Sequence, residues 1–280
     1  MFKQILVPAT GTAEDAVTFA TALKASRLFD AHLEFLHARP DPIEAVAGLA
    51  TMDGAGGFAA GELMDTLERM GAEGEAKARA EVAALQLAEG LTSDAAAFTV
   101  QVGDAARWLA RYGRTADLIV SGRWRGEDVA MALLQQVLFE GGRPLLLAPR
   151  AAPASLHDVV VVAWKDTAEA ARAVAAAMPF ITRATEVLVL TVDEGADDAT
   201  EGSCERLVAT LSRHTPYVAA RHLAAGGGRP ADVLLAAAAK AGASLLVMGG
   251  YGHSRAREMV FGGFTQRVLR DADMPVLMMH

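Results

Sequence analysis

The chain has 280 residues, a length that accommodates two domains or one large one. Its 26 Lys and Arg against 34 Asp and Glu give a formal charge of −8, which argues against a general binder of nucleic-acid backbones or of anionic membranes. Hydrophobic residues make up 52% and the mean hydropathy is +0.24, yet the nearest approach to a membrane span, VLLAAAAKAGASLLVMGG at 233–250, is broken by Lys240 and by glycines, short of an unbroken run of about 20 residues.

The N-terminal segment MFKQILVP lacks the apolar core and small-residue cleavage site of a signal peptide, so a cytoplasmic location is expected. Short aliphatic runs at FKQILVP (2–8), HLEFLHA (32–38), AAFTVQV (96–102), DLIVSG (117–122) and PLLLAP (144–149) read as strands buried on both faces, as in a parallel sheet. Between the first two lies a helical pattern in which Ala16, Phe19, Ala20 and Leu23 share one face, and Thr12 with Asp15 resembles a capping arrangement. His37 reads as a structural residue at the second strand. Residues 41–61, with Gly48, Gly54, Gly56, Gly57 and Gly61, read as a glycine-rich loop before a long helix over 62–90.

AAPAS (151–155) is a joint, after which the landmarks recur in the same order. VVVA (160–163) answers to ILVP (5–8), and the helical DTAEAARAVAAAMPFI follows, with Asp166 and Glu169 as its start signal. SLLVMGG (244–250) answers to DLIVSG, and MPVLMM (274–279) to RPLLLAP. The acidic stretch Asp193, Glu194, Asp197, Asp198 and Glu201 reads as an exposed loop rather than a metal site. The single cysteine, Cys204, excludes an intrachain disulfide and a cysteine-based zinc site. The pattern predicts an α/β protein of two halves, 1–150 and 151–280, each an open doubly wound parallel five-stranded sheet of flavodoxin-like architecture.

Such sheets bind ligands beyond the carboxyl ends of their strands, where the strand order reverses. After the fourth strand of the second half comes GGYGHSRAREMVFGGFTQRVL (249–269), with two residues between Gly249 and Gly252 and nine between Gly252 and Gly262. Gly263 then opens a helical segment. Glycines let a backbone approach phosphate closely, and the free N–H groups of a helix N-terminus face the anion. A tight turn without a ligand is the competing reading.

The spacing G-x2-G-x9-G after a VMG strand, ahead of a helix and a final PVL strand, resembles the ATP-binding branch of the universal stress proteins. The resemblance spans both halves and implies a tandem member of that family, with the adenine-nucleotide α-hydrolase-like fold. It implies a stress-response or signalling module, with the halves packed as a pseudo-dimer through their last strands and homodimerisation left open. By position it places phosphates and ribose near Gly249, Gly252, Gly262, Gly263 and Thr265, with His253 beside them and Met248 and Phe264 among the binding residues. It places the adenine near Ala163 and Val192, with Trp164, Lys165 and Asp166 following the first strand. The implied ligand is ATP, with or without Mg2+, or AMP or ADP, with no resident metal site.

Two positions depart from that pattern: Gly263 stands where the family carries Ser or Thr, and Lys165 where it carries an acid. The first half departs further. Gly122 is kept, but Arg125 stands opposite Gly252, Met131 and Ala132 opposite Gly262 and Gly263, and Thr10 opposite Lys165. Its loop is too short to surround a triphosphate, so at most one nucleotide per chain is expected, in the second half. Trp124 is a candidate cover for the first-half site or an interdomain residue. Arg255, Arg257, Arg267 and Arg270 read as a solvated face or as phosphate attractors. An ATP-hydrolysing or adenylyl-transferring enzyme and a non-binding dimerisation scaffold are the two alternative functions; Asp166 and His253 are the candidate reactive groups of the enzyme.

Overall fold

The computed structural model describes residues 1–50, 57–123, 127–193, 198–250 and 263–280. The first half contains β1 (Gln4–Pro8), α1 (Asp15–Phe29), β2 (His32–Arg39), α2 (Pro42–Ala50), α3 (Gly57–Glu89), β3 (Ala96–Val102), α4 (Ala105–Gly113), β4 (Leu118–Ser121), α5 (Glu127–Gly141) and β5 (Leu145–Leu147). The second contains β6 (Val159–Ala163), α6 (Ala168–Ile181), β7 (Glu186–Asp193), α7 (Asp198–Leu211), β8 (Val218–Ala224), α8 (Pro230–Lys240), β9 (Leu245–Gly249), α9 (Gly263–Asp271) and β10 (Val276–Met279).

The strands form one sheet of ten in the order β3-β2-β1-β4-β5-β10-β9-β6-β7-β8. Each half is the expected doubly wound parallel sheet, and the two are fused edge to edge. The fusion is the antiparallel pair β5·β10, with Leu146 opposite Leu277. Both strands are short and fully apolar. Pairing them hides two sheet edges that would otherwise be exposed templates for another chain.

Side chains alternate across the sheet, as period-2 geometry requires. Ile5, Val7, Val160 and Val162 enter one core layer beneath α1, α3, α6 and α7. Leu6 and Val161 enter the other, beneath α4, α5, α8 and α9. Corresponding helices of the halves therefore lie on the same side, and the pseudo-twofold axis runs through the sheet near Leu146 and Leu277. On the first side Phe2 and Phe29 meet Phe180 of the second half, with ring centroids 4.9 Å apart for Phe29–Phe180 and 5.7 Å for Phe2–Phe180.

The glycine-rich stretch differs from expectation. Residues 42–50 are helix α2, and α3 starts at Gly57 rather than 62; residues 51–56 lie outside the described residues. The start signal is local: Asp41 Oδ1 accepts from the Ile43 amide at 2.8 Å, and Pro42 takes the first helical position, where its missing N–H costs nothing. At 33 residues α3 is about 50 Å long, roughly twice the length of the strands it covers.

Candidate functional site

In the second half the strand order reverses between β6 and β9: α6 leaves on one side of the sheet and α9 on the other. Ala163 and Met248 are register partners at this switch point, and Gly249 is one residue further along. A Cβ atom on Gly249 would lie 2.6 Å from the Ala170 amide nitrogen and 2.7 Å from the Glu169 carbonyl carbon. The glycine is thus required by the closeness of β9 to the start of α6, whatever else the loop does. Gly122, its counterpart, is pressed in the same way against the Thr18 hydroxyl of α1.

The turn from β6 to α6 is held locally. Thr167 caps α6, its hydroxyl accepting from the Ala170 amide at 3.2 Å, while its own amide donates to the Lys165 carbonyl at 2.7 Å. Lys165 and Asp166 are exposed, and Asp166 lies 3.7 Å from Arg206 of α7. Ala163, Val192, Met248 and Phe264 share the core layer beneath α8 and α9. Trp164 turns to the opposite layer, where its Nε1 donates to the buried Ser203 hydroxyl at 2.9 Å. The structure therefore brings four of the named residues to one side of the switch point and sends Trp164 to the other.

Gly263 begins α9 and is exposed, with open space where a Cβ would stand. Thr265, in the same first turn, is buried. Gly252, His253 and Gly262 lie outside the described residues, as do Trp124, Arg125, Arg255 and Arg257. Between the start of α8 and α9 is a cavity of about 540 Å³ lined by Arg229, Pro230, Gly263, Phe264, Arg267 and Arg270. Two of these cations are engaged: Arg267 with Asp232 at 2.7 Å and Asp271 at 2.8 Å, and Arg270 with Asp271 at 3.3 Å. Among the described residues no group of three His, Cys, Asp or Glu side chains is placed to hold a metal ion, and no helix is long and apolar enough to cross a membrane.

The first-half counterpart is built differently. After Gly122 and Arg123, α5 is helical from Glu127, so Met131 and Ala132 lie within a helix, whereas the first described residue after Gly250 is Gly263, at the start of α9. The turn after β1 is occupied by its own chain. Asp15 is 2% exposed, and its carboxylate accepts from the Thr10 amide (2.7 Å), the Gly11 amide (2.8 Å) and the Thr10 hydroxyl (2.7 Å). It thus binds the turn's donors rather than capping α1 together with Thr12. Burial pushes the Asp15 pKa up despite these bonds. Glu81 of α3 is also raised, first by desolvation and then by the neighbouring Asp15 charge.

Helix α3 lies over the same turn: a Cβ on Gly11, whose φ is +73°, would stand 2.6 Å from the Gly74 carbonyl oxygen. His37 is 4% exposed, its Nδ1 2.7 Å from the Ala9 carbonyl oxygen. Among the described residues its Nε2 is buried without a hydrogen-bond partner.

Three contacts have no clear sequence signal. Asp15 reads locally as a helix cap, and its contact with Glu81 joins residues 66 positions apart. Thr191 and His222, 2.6 Å apart at the ends of β7 and β8, are joined only by sheet register. Arg123 is a lone arginine after a strand, yet it reaches α9 of the other half.

Comparison with known proteins bears on the second half first. Residues 157–280 match the model of the universal stress protein family. Over the whole chain, a universal stress protein from Archaeoglobus fulgidus superposes with a TM-score of 0.68 at 17% identity, covering 99% of this chain and 96% of that one. A functionally unknown protein from Pseudomonas aeruginosa superposes with a TM-score of 0.60 at 15% identity, covering 99% and 92%. At these identities the likeness is one of fold, and it extends across both halves. A search of curated proteins finds no match.

Proposed function

Because residues 157–280 match the universal stress protein family, we propose that this protein is a nucleotide-responsive stress or signalling module that binds one adenine nucleotide, ATP first among them, in its second half. The division into a non-binding domain, 1–150, and a binding domain, 151–280, belongs to the same proposal. The observation that carries it is the placement of the two ends of the glycine segment: β9 ends at the switch point beside Ala163, and α9 begins at an exposed N-terminus. That crevice is where doubly wound sheets take their ligands, and the amides of a helix N-terminus favour an anion.

The residues present fit the ligand. Gly263 leaves the first turn of α9 open on its outer side. Ala163 offers a small apolar floor at the strand end, with Val192 and Met248 in the same layer. Gly263 supplies a backbone N–H but no hydroxyl. The lysine at 165 adds positive charge near the turn in place of the family's acid. The first half supports the complementary part of the reading, since Asp15 already takes the amides of the turn after β1 and α5 is helical from Glu127.

Denaturing the purified protein and analysing the supernatant by ion-exchange chromatography tests the proposal. An adenine nucleotide is expected. A protein that releases none, and takes up none from millimolar ATP, is a scaffold rather than a nucleotide binder. Turnover of added ATP with magnesium distinguishes an enzyme from a binding module.

A further inference from the structure

Helix α9 has nine residues, too few to hold a fixed position by its own helical propensity. Its place comes from tertiary contacts, and three carbonyls at its C-terminal end are bonded from the other half of the chain. Arg123, immediately after β4, extends its guanidinium to that end. One terminal nitrogen donates to the Leu269 carbonyl oxygen and the other to that of Ala272 at 2.6 Å, while Nε donates to the Ala148 carbonyl oxygen at 3.2 Å. Arg150 donates to the Arg270 carbonyl oxygen at 2.9 Å. Carbonyls at a helix C-terminus have no partner within the helix, and the helix dipole puts negative charge there. Two first-half arginines thus complete three carbonyls at the end of one second-half helix.

Among the described residues no arginine of the second half bonds the carbonyls at the end of α5, where the second half's His280 packs instead against Phe139. Gly250 is the counterpart of Arg123, and a Cβ there would stand 2.8 Å from Leu138 of α5. The end of α5 is served from its own half, where Arg114 donates to the Glu140 carbonyl oxygen at 3.1 Å. The half without the glycine loop supplies the arginines, and the half with it receives them. Burial, with Arg150 nearby, pushes the Arg123 pKa down to about 10, and Asp271 and Asp273 oppose the shift, so the guanidinium is charged at neutral pH.

We infer that Arg123 and Arg150 are positioning residues for the nucleotide site, a latch by which the first half fixes the far end of the helix whose near end faces the phosphates. The inference rests on the proposed function. It gives the first half a role without a ligand of its own: nucleotide affinity in the second half depends on the latch, and nucleotide tightens the latch in return, as linkage requires.

The test compares the intact chain with Arg123→Met, Arg123→Lys and Arg150→Ala, by calorimetric titration with ATP and magnesium and by hydrogen exchange of the α9 amides. Arg123→Met is expected to weaken ATP binding about tenfold, within the usual range of such couplings. It should also speed exchange at the amides bonded within α9, Arg267 to Asp271. Arg123→Lys keeps the charge without the fork and should recover part of the affinity. Arg150→Ala, at an exposed position, should show a smaller loss in the same direction and carries the test if Arg123→Met does not fold. Unchanged affinity and unchanged exchange in the folded variants overturn the latch while leaving the proposed function intact. No ATP binding by the unaltered chain overturns both the proposed function and the coupling, and is seen before any variant is compared.

Discussion

The Ala170 amide nitrogen sits 2.6 Å from where a Cβ on Gly249 would be. This is a contact with helix backbone, which cannot swing aside as a side chain can. Gly249→Ala should therefore cost about 1–3 kcal/mol through overpacking, measured by denaturant unfolding with no nucleotide present. Gly263 faces open space, so Gly263→Ser should stay within about 0.5 kcal/mol of the parent and bind ATP no worse. The two glycines of one loop thus answer to different constraints, and stability measurements without ligand separate them.

The turn after β1 should be equally intolerant. Gly11→Ala forces a side chain onto a φ of +73° and toward the Gly74 carbonyl oxygen. The conformation alone costs about 1–2 kcal/mol, so a clear fall in the unfolding midpoint is expected with ATP binding by the second half retained. A variant as stable as the parent would mean that α3 does not press on this turn.

Asp15 sets a pH dependence with a definite sign. Its pKa is raised from the ordinary 3.8, and that of Glu81 is raised with it. Above the ordinary carboxyl range the folded chain then holds more protons than the unfolded one, so this pair's contribution to stability falls as pH rises through the raised values and levels off above them. Asp15→Asn should flatten that slope, because one of the two acids is gone and Glu81 loses its charged neighbour. Unfolding curves at a series of pH values from 4 upward check it; an unchanged slope would place the effect elsewhere.

Trp164 is a tie between β6 and α7. Trp164→Phe removes the donor to Ser203, whose hydroxyl is buried. Losing that hydrogen bond should cost about 0.5–1.5 kcal/mol. A fluorescence-monitored melt of the parent and a circular-dichroism melt of both proteins measure the difference.

Much of the fold was legible because its signals are local. Runs such as VVVV in β6 and LLVM in β9 are apolar at every position, which is what a strand covered on both faces demands. The doubling of those runs announced two similar halves. Helix α2 was missed because five glycines outweighed a single Asp-Pro start signal. The proposed site is written in consecutive residues of the sequence only in the segment from Gly249 to Thr265. Asp15 with Glu81, Thr191 with His222, and Arg123 with α9 are each made by the folding of distant segments, and no spacing rule encodes them. Trp164 was correctly assigned to the turn after β6, but which layer its ring enters depends on Ser203, 39 positions away.

The most direct test of the account is the stoichiometry of ATP on the intact chain, by equilibrium dialysis or calorimetry with magnesium present. The long glycine segment of sequence between Gly249 and Gly263, set against a helix that begins at Glu127, predicts saturation at one nucleotide per chain. Gly262→Asp, which brings a negative charge to the proposed phosphate loop, should abolish that binding. Saturation at two per chain, or undiminished binding by Gly262→Asp, would contradict the placement of the site in the second half alone.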